Sequence, residues 1–256
     1  MESVIFSQAF REYVRFRRII PWMIFGLACM GLAYAWKYLN VDATHAERYA
    51  NVSSMLVFRL VALASAIFTT AIISQEVEQR TIVYLLTRPV ARWKLILIRY
   101  LASVLVVSAL GIIAALLTTL GAFGGFGANP LLLDDTKAIV VGAFAYGALF
   151  LFVSLVFNRA MLVCLLFAFG WETAIPNMQG GMQNLSILSH LQAIAQHPSQ
   201  GGEGNKLLEL MAGIGGTNLI SIDRAWGTMA ILTVVCLLAS AWWFTHFEYV
   251  PREDAE

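Results

Sequence analysis

Six apolar runs, over residues 20–38, 53–74, 95–120, 136–157, 160–175 and 225–244, constrain this chain more than any other feature of it. At ~1.5 Å of rise per residue, about 20 helical residues cross the ~30 Å hydrocarbon core of a bilayer, and most of these runs reach or approach that length. Charged residues fill only 13% of the 256 positions and hydrophobic residues fill 59%. A soluble domain carries ~25% charge, so the chain reads as an integral membrane protein, all-α, with six transmembrane helices in a single domain over residues 1–256.

The remaining segments divide into those that carry basic residues and those that do not. Eleven lysines and arginines fall in residues 1–18, 75–99, the 158–159 hairpin and the C-terminal tail, against five at the opposite ends of the runs. The positive-inside bias puts the first group in the cytoplasm, and an even number of crossings then leaves both termini there, in the cell (inner) membrane. In residues 1–18, Phe6, Ala9, Phe10, Tyr13 and Val14 keep one helical face while Arg11, Arg15 and Arg18 keep another. That pattern predicts an amphipathic helix in the cytoplasmic interface, its arginines toward anionic lipid headgroups. The arginines follow the apolar stripe instead of preceding it, so the segment is not expected to be a cleaved signal peptide. Pro21 and Trp22 are expected to mark the bend into the first crossing.

On the other side, residues 40–51 read as a short polar loop, and Asp134 and Asp135 stand where a helix N-cap is expected. Residues 176–224 form the largest external segment. Leu185, Leu188, Leu191 and Ala195 keep one helical face and Leu207, Leu210 and Met211 another, which predicts two helices lying on the outer leaflet or dipping into it, with glycines between them. Asp223 is the expected N-cap of the sixth crossing.

Residues 76–94, EVEQRTIVYLLTRPVARWK, interrupt this apolar background with charge. Ile82, Leu85 and Leu86 recur at helical spacing and Glu76 stands four residues before Arg80, which suits a short helix on the headgroups. Arg88 precedes Pro89, a pairing that ends a helix and favours a new one starting nearby. Glu76, Glu78, Thr81, Leu85, Leu86, Thr87, Arg88, Pro89, Val90, Arg92 and Lys94 together resemble the loop between the second and third membrane helices of type-2 ABC transporter permeases. The resemblance implies a six-helix permease that exports or flips its substrate. It also implies that a coupling surface built from Glu76, Glu78, Arg80, Thr81, Ile82, Leu85, Leu86, Arg88, Pro89 and Arg92 contacts a separate cytoplasmic ABC ATPase. ATP and Mg would then bind on that partner and none on this chain, which would act as a dimer and would not itself be an enzyme.

The chemistry-bearing residues are sparse. There is no GxxxxGK[ST] phosphate loop, and GGEGNK near Gly201 lacks its ending. The four histidines are scattered without the facing placement that zinc or haem needs, and Cys29, Cys164 and Cys236 fall inside apolar runs. No metal site, disulfide or nucleic-acid partner is implied, nor is a serine–histidine protease. Two charges fall inside crossings. Arg59 lies about six residues, ~9 Å, from the outer end of its run and Glu172 about four residues, ~6 Å, from the outer end of its own. Charges in that position pair with one another across a pathway or snorkel separately to the interface, and the sequence leaves both open. An ion-coupled carrier or channel, or a membrane-embedded enzyme, are the alternative functions.

Overall fold

A computed structural model describes residues 2–39, 44–78, 92–125, 129–157, 159–175, 181–197 and 220–246. Among these residues every regular element is helical. Five helices among the described residues are long and apolar enough to cross a membrane: Phe16–Trp36, His45–Ile72, Trp93–Phe123, Leu132–Val156 and Ile222–His246, while the apolar helix Ala160–Ala174 is shorter.

Helix α1, Glu2–Tyr13, packs one face on the bundle. Ala9 and Tyr13 are buried, and the Tyr13 ring meets Phe68 edge-on at 5.8 Å. Helix α2, Phe16–Leu39, runs straight through Pro21, so the chain turns at Arg15 and not at the expected Pro21–Trp22 bend. Proline there removes the bond to the carbonyl four residues back and crowds that carbonyl, but so near the start of the helix it does not end it. The end of the bundle holding α1 is called proximal here and the opposite end distal.

At the distal end, the expected loop over residues 40–51 is largely helix. Thr44 caps α3, His45–Val52, through a reciprocal box in which Thr44 Oγ1 accepts from the Glu47 N–H at 3.3 Å and Glu47 Oε2 accepts from the Thr44 N–H at 2.8 Å. The T-x-x-E spacing that starts a helix is therefore satisfied within a stretch whose polarity suggests a loop. The path continues through a π-helical turn, Ser53–Val57, into α4, Phe58–Glu78. Helix α5 spans Arg92–Phe123 and α6 spans Leu132–Val156. Because α6 begins at Leu132, Asp134 and Asp135 lie inside its first turn and not at its cap, where they still complement the N-terminal dipole.

Helix α7, Ala160–Leu166, passes through a second π-helical turn, Phe167–Trp171, into the three-residue α8, Glu172–Ala174. After a 3₁₀ turn at Gly181–Leu185 comes α9, Ile187–Ala195, all nine residues of which are buried. Helix α10 spans Ile222–His246, with Asp223 in its first turn and not capping it. The second helix expected between residues 176 and 224, around Leu207, Leu210 and Met211, lies outside the described residues.

Helix α6 is the hub, in contact with α4, α5, α7, α9 and α10. Its small residues permit this: a Cβ placed on Gly142 would come within 2.7 Å of Leu191 Cδ1 on α9. In lipid there is no hydrophobic drive between helices, so such close approach is what holds them together.

The contacts along α6 fix a register. Phe150 meets the Phe167 ring at 6.0 Å, Tyr146 faces Glu172, Gly142 faces Leu191, and Asp135 faces His197. Both α7 and α9 thus run antiparallel to α6, α7–α8 rising from the proximal end to the level of Tyr146 and α9 continuing from that level to the distal end. Eleven residues separate Asp135 from Tyr146 on α6, and eleven separate Ser186 from His197 on α9. The two pieces cover the length of the bundle as one interrupted path.

Candidate functional site

The interruption is where the polar side chains gather. Helix α9 begins with Ser186, whose extended backbone and Oγ, accepting from the Ser189 N–H at 3.2 Å, make it an N-cap. The first N–H groups of any helix lack partners within it and carry the positive end of its dipole. Here they meet Glu172. Its Oε2 accepts from Ser186 Oγ at 2.6 Å and from the Leu188 N–H at 3.0 Å, and its Oε1 accepts from the Ile187 N–H at 3.1 Å. The Tyr146 hydroxyl is a further donor to the carboxylate. Glu172 is 2% exposed, so a carboxylate is held inside the bundle by four donors.

Arg59 approaches from α4, close enough for its charge to act on both Glu172 and Tyr146. The structure therefore brings the two sequence-identified charges into one cluster. Their depth differs from the sequence expectation. Arg59 lies fourteen residues from His45, where its helix begins, and Tyr146 lies fourteen residues from Leu132, which puts both about 21 Å from the distal helix ends. The charges sit near mid-bundle, because the capping box starts α3 earlier than expected and because the chain after Ala174 has not yet reached the distal end. Each lies just beyond a π-helical turn, Ser53–Val57 or Phe167–Trp171, and such turns are frequent at functional sites.

A second polar cluster closes the distal end of α9, and sequence reasoning missed it. Gln196 ends the helix in the left-handed region, φ 50°, turning the chain so that His197 faces α6. His197 Nε2 lies 2.6 Å from Asp135 Oδ1, and His197 Nδ1 lies 2.6 Å from Ser54 Oγ. An ionised carboxylate only accepts, so Nε2 carries the proton that bonds Asp135, while Nδ1 is hydrogen-bonded to the Ser54 hydroxyl. Ser53 donates to the other oxygen of Asp135, which is fully buried. The imidazole stacks on Phe58 at 5.6 Å. The Ser–His–Asp order suggests a nucleophile, but Ser54 is 1% exposed and lies in a helical stretch whose backbone N–H groups are consumed by the helix, leaving none for an oxyanion. The arrangement works as a clasp. Its members are 62 and 143 positions apart in sequence, and no spacing rule joins them.

Of the loop residues, Glu76 and Glu78 lie in the final turn of α4 and Arg92 opens α5, whereas Arg80, Thr81, Ile82, Leu85, Leu86, Arg88 and Pro89 lie outside the described residues. Beside them, Arg99 donates across the helix pair to the Ile72 carbonyl at 3.5 Å.

Residues 12–184, more than half the chain, match the family described as ABC-2 family transporter protein. The chain belongs to that family. It is a multi-pass membrane protein and the permease component of an ABC transporter, a class that is generally not catalytic and generally works with a cytoplasmic ATPase. Among curated proteins none matches the chain. In this ABC-2 permease the matched region takes in α2 through α8, the 76–94 loop and both mid-bundle charges.

Proposed function

We propose that this permease moves its substrate outward across the cell membrane, as a pair of chains driven by two copies of a separate cytoplasmic ATPase that binds ATP and Mg. The family match carries the reading, because it runs continuously through the charged loop and the helices on either side of it. The basic bias of residues 1–18 and 75–99 supports a cytoplasmic placement of the loop and of both termini. Six crossings follow if α7–α8 and α9 count as one interrupted passage beside the five long helices.

Interrupted helices with a charge at the break are where transporters place their pathways, since the freed backbone groups are tolerated only next to protein or a cavity. The Glu172–Arg59 cluster is accordingly the point at which the pathway is held shut, with α9 as the part that moves. Closure of the ATPase pair pushes on the 76–94 loop and shifts α4 against α6, which loosens the grip of Glu172 on α9.

Docking is assigned to Ile82, Leu85 and Leu86, ringed by Glu78, Arg80 and Arg88, an apolar centre with a charged rim as in transient interfaces. Leu85→Asp should release the ATPase from the purified complex while the permease itself stays folded. Undiminished co-purification of the ATPase with that variant would rule the docking surface out.

A further inference from the structure

Arg48, on α3 near the distal end, is 7% exposed, and its Nε has no hydrogen-bond partner among the described residues. The indole N–H of Trp36, on α2, is buried and equally unpartnered. Both lie toward the distal end, on helices that pack together. Helices α2 and α3 meet around a small core of Cys29, Ala33, Tyr49, Val52 and Ala122, on which Trp36 packs. Trp36 is one turn beyond Ala33, and Arg48 is one turn beyond Val52.

Among the described residues, the acids of this end of the bundle are engaged elsewhere. Glu47 accepts the Thr44 N–H in the capping box, and Asp135 is taken up by Ser53 and His197. The nearby His45 donates through Nδ1 to the Ala122 carbonyl at 2.8 Å. A buried guanidinium without a counter-charge is strongly unfavourable, so the site calls for an anion.

We propose that Arg48 and Trp36 bind the phosphate of a phospholipid headgroup in the groove between the distal ends of α2 and α3. Helix α2 lies at the edge of the bundle and exposes Ile24, Leu27, Leu32, Tyr34 and Tyr38, so the groove opens toward lipid and not toward an aqueous cavity. Trp36 stands near the distal end of a membrane-length helix, where tryptophan concentrates at headgroup level. The guanidinium fork matches phosphate oxygens in pairs, and the indole adds one neutral donor.

The test is stepwise delipidation of the purified full-length chain, followed by native mass spectrometry of retained phospholipid and thermal unfolding after adding phosphatidylglycerol or inorganic phosphate. Wild type should keep phospholipid and gain thermal stability from phosphatidylglycerol but not from inorganic phosphate at the same concentration. Arg48→Gln should hold phospholipid at least tenfold more weakly, and the milder Trp36→Phe, which removes only the N–H donor, should show a smaller loss. Equal retention by wild type and Trp36→Phe, or by wild type and Arg48→Gln, would overturn the site. So would full stabilisation by inorganic phosphate, or a shift of Arg48→Gln from dimer to monomer with its phospholipid unchanged, which would assign the groove to a second copy.

Discussion

His197 Nε2 sits 2.6 Å from Asp135 Oδ1 and thereby ties the distal end of α9 to the first turn of α6, while Glu172 holds the other end of α9 at the level of Tyr146. The helix proposed to move is therefore fastened at both ends by charge-assisted bonds, and each fastening can be cut separately.

Cutting the distal clasp with His197→Ala leaves Asp135 buried with Ser53 hydrogen-bonded to it and the Tyr49 hydroxyl nearby. A buried acceptor stripped of a partner costs about 1–3 kcal/mol, more when charged, so unfolding in detergent should come several degrees lower. Adding Asp135→Asn should recover part of that loss. Strictly additive effects of the two substitutions would show that the pair is not coupled.

At the mid-bundle end, Glu172→Ala should be more damaging than His197→Ala, because it strands the Ser186 hydroxyl and the Ile187 and Leu188 N–H groups at once. A cost of about 3 kcal/mol is expected. Glu172→Gln, which can still accept from the helix end, should retain much of the stability. The cycle of Arg59→Met with Glu172→Gln, run on stability and on transport-coupled ATPase activity, should give a non-zero coupling. Zero coupling in both measurements would remove this pair from the proposed gate.

Two glycines separate a movable contact from a fixed one. On Gly142 an added Cβ meets the tip of Leu191, a side chain that can be trimmed, whereas on Gly121 it meets the backbone carbonyl of Met30. Gly142→Val should destabilise by about 1–3 kcal/mol and be partly rescued by Leu191→Ala. Gly121→Ala should separate α2 from α5, and trimming Met30 or Ala33 should rescue little, because main chain is in the way. Thermal unfolding of the two double variants checks the contrast.

Sidedness is tested by cysteine labelling of intact cells. Gln79→Cys should be protected from an impermeant thiol reagent, and Glu203→Cys should react. The reverse pattern would invert the bundle and with it the direction proposed for transport.

Hydropathy was legible without a structure, because burying a crossing in lipid depends on the composition of the run and not on its neighbours. The five long helices follow from that, as does the charged loop that carries the resemblance now supported by the family match. Local chemistry was legible but misjudged in places: Pro21 lies inside α2 instead of bending the chain, Asp134, Asp135 and Asp223 lie in first turns instead of capping them, and the Thr44–Glu47 box starts α3 in a stretch whose polarity suggested a loop, which moved Arg59 from the outer part of its run to mid-bundle. What tertiary structure alone decided is which distant residues meet. Asp135 finds His197, Tyr146 finds Glu172, and Gly142 finds Leu191 only because α9 lies antiparallel to α6, and that register depends on packing between surfaces remote in sequence. The same packing sets the run at 160–175 end to end with α9 along α6, since the N-terminus of α9 completes the bonding of Glu172, a residue that in its own helix reads as an isolated charge in an apolar run.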